Sequence, residues 1–178
     1  MKMKSLAMAT VMALGFASAA NAADVNSGRV TFTGTVLDTP CDLKAGQNGS
    51  DVKVNFNQLS KSQLNASSTS TEAFTISLTN CDLTGKTTSI KFTSPSQDAS
   101  NAFIGTQIDN LGIKLELANM GGDITLGTDK TLTGLNTTGD NDLEFNAIAY
   151  KTSAGTDPAD LVSEGNFEVI SNFVISYQ

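Results

Sequence analysis

The chain has no histidine, no tryptophan, two cysteines and a single arginine, Arg29, in 178 residues. Without imidazole there is no His-based catalytic triad, no His metal ligand and no imidazole proton shuttle. Eleven Lys and Arg stand against 18 Asp and Glu, for a net charge of −7, which is wrong for a nucleic-acid phosphate surface. Charged residues make up only 16%. Ser, Thr and Asn take their place, and such short polar side chains suit sheet faces and turns better than long surface helices. The carboxylates are scattered. Asp140 and Asp142 could touch a cation, but the full calcium-loop pattern is absent and a solvated turn is the simpler reading. No catalytic residue, metal or cofactor is expected, and the chain does not read as an enzyme.

What is present begins with an address. Lys2 and Lys4 precede an eleven-residue apolar run from Leu6 to Phe16, and Ala20-Asn21-Ala22 places small side chains at the −3 and −1 positions of a cleavage site. Residues 1–22 read as a secretory signal peptide cut before Ala23, since that run is far shorter than the ~20 residues needed to span a bilayer. No later segment is long or apolar enough to be a membrane span. Export carries Cys41 and Cys81 into an oxidising compartment, where they read as one structural disulfide. Their spacing of 40 fits neither C-x-x-C redox chemistry nor a zinc site. On the chain-entropy model a bridge of that span contributes about 4 kcal/mol at most.

Beyond the leader the dominant period is two. Val30, Phe32 and Val36 alternate with threonines, as do Val52, Val54 and Phe56 with Lys53 and Asn55. Phe74, Ile76 and Leu78 lead into Cys81, followed by Ile90 and Phe92 and then by Ile113, Leu115 and Leu117. Leu143, Phe145, Ala147 and Ala149 form another set, and Phe167, Val169, Phe173, Ile175 and Tyr177 the last. Short alternating runs rich in Thr, Val, Ile and Phe predict half-buried strands. Residues 44–50, 119–123 and 137–142 read as turns or loops. Short helical turns are expected around Leu64 and at 157–163, where Pro158 suits a first helical position. Seven or so strands without a long helix argue for an antiparallel sandwich of immunoglobulin-like type.

Both ends are odd for a complete sandwich. The last strand alternates to Gln178 with nothing after it to cover its edge, unless earlier strands pair it on both sides. The first run presents Val30, Phe32, Gly34 and Val36 on one face, and glycine there marks close approach of another backbone or a bulge. The ordered set of V-x-F-x-G-x-V at 30–36, a cysteine seven residues after Gly34, Phe74-x-Ile76-x-Leu78 running into Cys81, Leu111-Gly112-Ile113 and the ending Asn172-Phe173-Val174-Ile175-Ser176-Tyr177-Gln178 resembles the pilin subunits of the chaperone–usher pathway, the family of type 1 and P pili.

That resemblance implies an incomplete immunoglobulin-like β-sandwich lacking its last strand (pilin domain 38–178), with an N-terminal donor-strand extension at 23–37. Val30, Phe32 and Val36 would insert into a neighbouring subunit, with Gly34 where only a hydrogen fits. Phe167, Val169, Phe173, Ile175 and Tyr177 would line the acceptor groove and pair with a periplasmic chaperone, whose basic residues would hold the carboxylate of Gln178. The implied partners are that chaperone, an outer-membrane usher and neighbouring pilins. The implied destination is a fimbria on the surface of a Gram-negative cell, where it contributes to adhesion. One pilin domain argues against a two-domain tip adhesin. Rod, minor and adaptor positions stay open, and the strand ends somewhat resemble those of P-pilus minor subunits. The rival reading is a complete secreted sandwich that binds carbohydrate or a host protein and tolerates loss of 23–37.

Overall fold

The computed structural model describes residues 28–34, 39–119 and 121–178. The expected signal peptide and Val36 lie outside the described residues. The chain divides into a unit ending at Val36 and a second unit, Leu37–Gln178, that holds the folded domain.

The domain is two antiparallel sheets. The larger runs β1 (Asp42–Leu43), β2 (Ser70–Asp82), β7 (Thr138–Lys151), β5 (Leu111–Leu117) and β4 (Ile104–Gly105), and the smaller runs β6 (Lys130–Leu132), β3 (Thr88–Thr93) and β8 (Asn172–Tyr177). The alternation read from the sequence is the alternation of burial. Ile76 and Leu78 on β2, Leu143, Phe145, Ala147 and Ala149 on β7, and Ile90 and Phe92 on β3 all face inward. Phe145 joins the layers, stacking on Phe74 at 5.2 Å within its own sheet and meeting Phe92 of the other edge-on at 5.3 Å. Cys41 and Cys81 are bonded to each other, as expected.

Gly112, inside β5, is required by packing: a Cβ there would sit 2.6 Å from both the Phe103 ring and the Thr152 methyl. The helical turn around Leu64 is a single turn, Lys61–Asn65, capped by Ser60 with Leu64 buried beneath it. The second is a 3-10 turn at Pro158–Asp160 with proline at its start.

Two expectations need correction. Residues 137–142 are not a loop, because β7 already begins at Thr138 and pairs with β2, with a register shift between Leu78 and Cys81. Asn141 takes the inward position there, donating to Asn136 O at 3.1 Å and accepting from Asn136 N at 2.7 Å, so a polar residue occupies a core slot fully bonded. Asp140 and Asp142 accept bonds from Asn80 N and Ser77 Oγ. In addition, the run around Val52–Phe56 is extended but joins no ladder.

Candidate functional site

The smaller sheet stops at β8. Thr87 and Gln178 exchange both backbone bonds, at 2.7 and 2.9 Å. In the register that pairs Thr88 with Tyr177 and Thr93 with Asn172, the even-numbered residues of β8 therefore bond β3. The N–H and C=O groups of Phe173, Ile175 and Tyr177 point the other way, to an edge with no neighbouring strand among the described residues. Their side chains meanwhile pack against the core.

The same parity continues upstream of β8. Ser94 Oγ donates to Ile170 O at 2.8 Å. The Gln107 amide donates to Glu168 O at 2.8 Å and accepts from Glu168 N at 3.1 Å. Even-numbered backbone groups are thus bound on the side away from the open edge, while those of Phe167, Val169 and Ser171 have no partner among the described residues. Phe167 and Val169, like Phe173, lean on the core.

A second unpaired segment faces this one. Val52 and Val54 are half-buried and Phe56 is buried. The Gln47 amide donates to Lys53 O at 2.8 Å and accepts from Lys53 N at 3.1 Å. Since successive peptide groups alternate in direction, those of Val52 and Val54 aim at the opposite side, again without a partner among the described residues.

Between the two segments lies an open groove. One stretch of about 600 Å³ has a floor of Phe74, Ile76, Phe92, Ile113, Leu115 and Ala147. It adjoins a stretch of about 480 Å³ over Leu64, Ile108, Leu111 and Val162, and the two share Val54, Phe56 and Phe167. Phe56 and Phe167 approach to 6.2 Å between ring centroids. At one end Lys61 Nζ meets Glu164 Oε1 at 3.2 Å, an exposed pair of little energetic weight. Burial pushes the Tyr177 phenol above its ordinary value. An apolar floor between two unsatisfied strand edges is the shape left by one absent strand. It offers main-chain hydrogen bonds on both sides and pockets for alternate side chains below.

Of the residues singled out from sequence, Phe167, Val169, Phe173, Ile175 and Tyr177 fall on one wall, in line. Gln178 is bound to Thr87 at its end. Val30, Phe32 and Gly34 lie in a stretch without assigned secondary structure that joins no ladder. The side chains of Val30 and Phe32 are 76% and 90% exposed, and nothing lies within 4 Å of a Cβ built on Gly34. The opposite wall of Val52, Val54 and Phe56 was visible as an alternating run but not as part of a site. The two glutamine clasps had no sequence signal at all. No cluster of metal-ligating side chains occurs among the described residues, and no helix there is long and apolar enough to cross a membrane.

Comparison with known proteins agrees with this geometry. The family model described as "Fimbrial protein" matches residues 30–178. The PRS fimbrial major pilin protein of Escherichia coli is 34% identical over 167 residues, covering 89% of this chain and 99% of the relative. The Fimbria A protein of Serratia marcescens is 33% identical over the full length of both chains. Among solved structures, the P pilus rod subunit PapA matches with a TM-score of 0.62 and 29% identity over 79% of this chain and 100% of its own. A subunit of a chaperone–usher pilus matches at 0.65 and 30%, over 86% and 96%. The fold is thus the immunoglobulin-like fold of pilin subunits. These relatives are structural pilins rather than enzymes, and the chain belongs with them to the fimbrial protein family.

Proposed function

We propose that the chain is a rod-forming subunit of a surface fimbria that polymerises by donor-strand exchange. The open groove carries this reading, with unpaired main chain on both walls above an apolar floor. In the proposed cycle residues 1–22 direct export, and a periplasmic chaperone lends a strand to the wall of Phe167, Val169, Phe173, Ile175 and Tyr177, holding the Gln178 carboxylate. At an outer-membrane usher, residues 23–37 of the next copy then replace that strand. Val30, Phe32 and Val36 become its inward side chains, and Gly34 takes the position where only a hydrogen fits. The resulting fibre contributes to cell adhesion. A rod position rests on the relatives, which are major pilins, rather than on the strand ends, whose likeness to minor subunits it sets aside.

The energetics favour exchange without a nucleotide. Burying three apolar side chains contributes about 5–9 kcal/mol before ladder bonds are added, comparable to the whole stability of a typical domain, roughly 5–15 kcal/mol. A better-fitting strand therefore displaces a poorer one downhill. Deleting residues 24–37 behind an intact leader should give a chain that accumulates in the periplasm without forming fibres. Normal fibres from that deletion would overturn the proposal.

A further inference from the structure

The two walls of the groove share a feature that strand exchange alone does not require. Each is held from behind by the primary amide of one glutamine, bonded to both backbone groups of a single residue. Gln47 holds Lys53 and Gln107 holds Glu168, each with its amide nitrogen 2.8 Å from the carbonyl and its amide oxygen 3.1 Å from the N–H. A primary amide is the side-chain group that offers a donor and an acceptor in the manner of a peptide unit. Each glutamine thus occupies the place of one residue of a flanking strand.

Besides the clasps, the walls are held by the packing of their apolar side chains on the core, by the Ser94–Ile170 bond and by the exposed Lys61–Glu164 pair, but by no strand ladder. Residues 52–59 and 164–171 lie outside every ladder. Gln47 and Gln107, by contrast, sit on braced turns. The first lies in the 3-10 turn 46–48, where Asp51 N donates to Gly46 O at 2.9 Å. The second follows Thr106, whose Oγ1 donates to Leu111 O at 3.0 Å and accepts from Ile108 N at 3.1 Å. Each clasp ties a braced turn to a wall that no ladder holds. By fixing the backbone groups of Lys53 and Glu168 outward, it aims those of Val52, Val54, Phe167 and Val169 into the groove. A wall rotated by one residue would turn its apolar side chains to water and its bonding edge away from the incoming strand.

We propose that Gln47 and Gln107 are positioning residues that stand in for strands and hold the empty groove in the orientation that accepts a donor strand. This rests on the donor-strand reading above and adds a division of labour. The clasps govern capture of the strand and not retention, because an inserted strand bonds the same walls from the groove side and makes the clasps redundant.

The test uses the exported full chain, unfolded in guanidinium with its disulfide intact, refolded by dilution and mixed with a fluorescent peptide of residues 23–37. Capture rate is read from the concentration dependence of the signal, and release from chase with unlabelled peptide. Gln107→Leu removes both bonds and Gln107→Glu keeps only the one from Glu168 N–H. Gln47→Leu tests the other wall independently should a Gln107 variant fail to refold. The expected result is capture slowed about tenfold in the leucine variants, less in the glutamate variant, with release within about twofold of wild type. Unchanged capture, or capture and release altered together as in a general loss of stability, would overturn the role of the clasps while leaving strand exchange intact. Failure of the wild-type chain to capture the peptide would instead overturn the donor-strand reading beneath it.

Discussion

Replacing Phe32 by alanine separates the two halves of the proposed cycle. Phe32 is 90% exposed in the N-terminal stretch, so truncation there removes almost no buried surface from the free chain. On donation nearly all of that ring passes from water into a groove floored by Phe74, Ile76, Phe92 and Leu115. Full burial of such a side chain is worth about 1.5–3 kcal/mol, which corresponds to a loss of affinity of about 13- to 160-fold. The assay is competition between wild-type and Phe32→Ala peptides of residues 23–37 for the refolded full chain. A Phe32→Ala chain should also take up wild-type peptide normally while failing as a donor. A loss of less than about threefold, or an equal loss in both roles, would refute the assignment of Phe32 to the donor face.

The other predictions bear on neighbouring steps. Gly34→Asn should leave acceptance intact, since no atom lies within 4 Å of the added Cβ in the free chain, but should block donation so that chaperone-bound subunit accumulates; normal polymers would contradict it. Ile175→Ala with Tyr177→Ala strips two inward side chains from the open edge, and periplasmic subunit levels should fall by immunoblot; unchanged levels would count against chaperone capture at that strand. Both tyrosines are pushed above their ordinary value of 10.0, Tyr177 by burial and Tyr150 by burial and the charge of Asp98. The folded chain then keeps its phenolic protons when the unfolded chain has lost them. Stability is level below about pH 10 and falls as pH rises from there through the folded values. An absorbance titration near 295 nm should show a midpoint above that of the chain in guanidinium, and coincident curves would contradict the burial.

Much of this was legible before any coordinates, for identifiable reasons. Alternation reports which face of an extended segment is apolar, and so it located β2, β3, β5, β7 and β8. It does not report hydrogen bonding. The walls at Val52–Phe56 and Phe167–Val169 have the same period as true strands, yet they have no partner on the groove side among the described residues, which is the property that makes them a candidate site. The strands at Asp42–Leu43, Ile104–Gly105 and Lys130–Leu132 are too short to carry a period and exist because longer neighbours pair with them. The polar start of β7 at Thr138–Asp142 reads as a turn by composition. Only the Asn136–Asn141 pair, a contact made after folding, explains its inward asparagine. The clasps at Gln47 and Gln107 are of the same kind, since nothing around a glutamine announces which peptide it will hold. The two odd chain ends left an ordinary reading open, and the groove was expected only from the resemblance to pilins; the role of its second wall and the means of holding it open had no sequence signal.

The most direct test is thermal unfolding of a chain comprising residues 38–178, disulfide formed, with and without a synthetic peptide of residues 23–37. If the domain lacks a strand, it melts early or is unfolded alone. The peptide should then raise its midpoint by about 15–40 °C, the shift expected for 5–9 kcal/mol in a domain of this size. A truncated domain that is already stable and ignores the peptide is a complete sandwich, and polymerisation by strand exchange would be the wrong account of it.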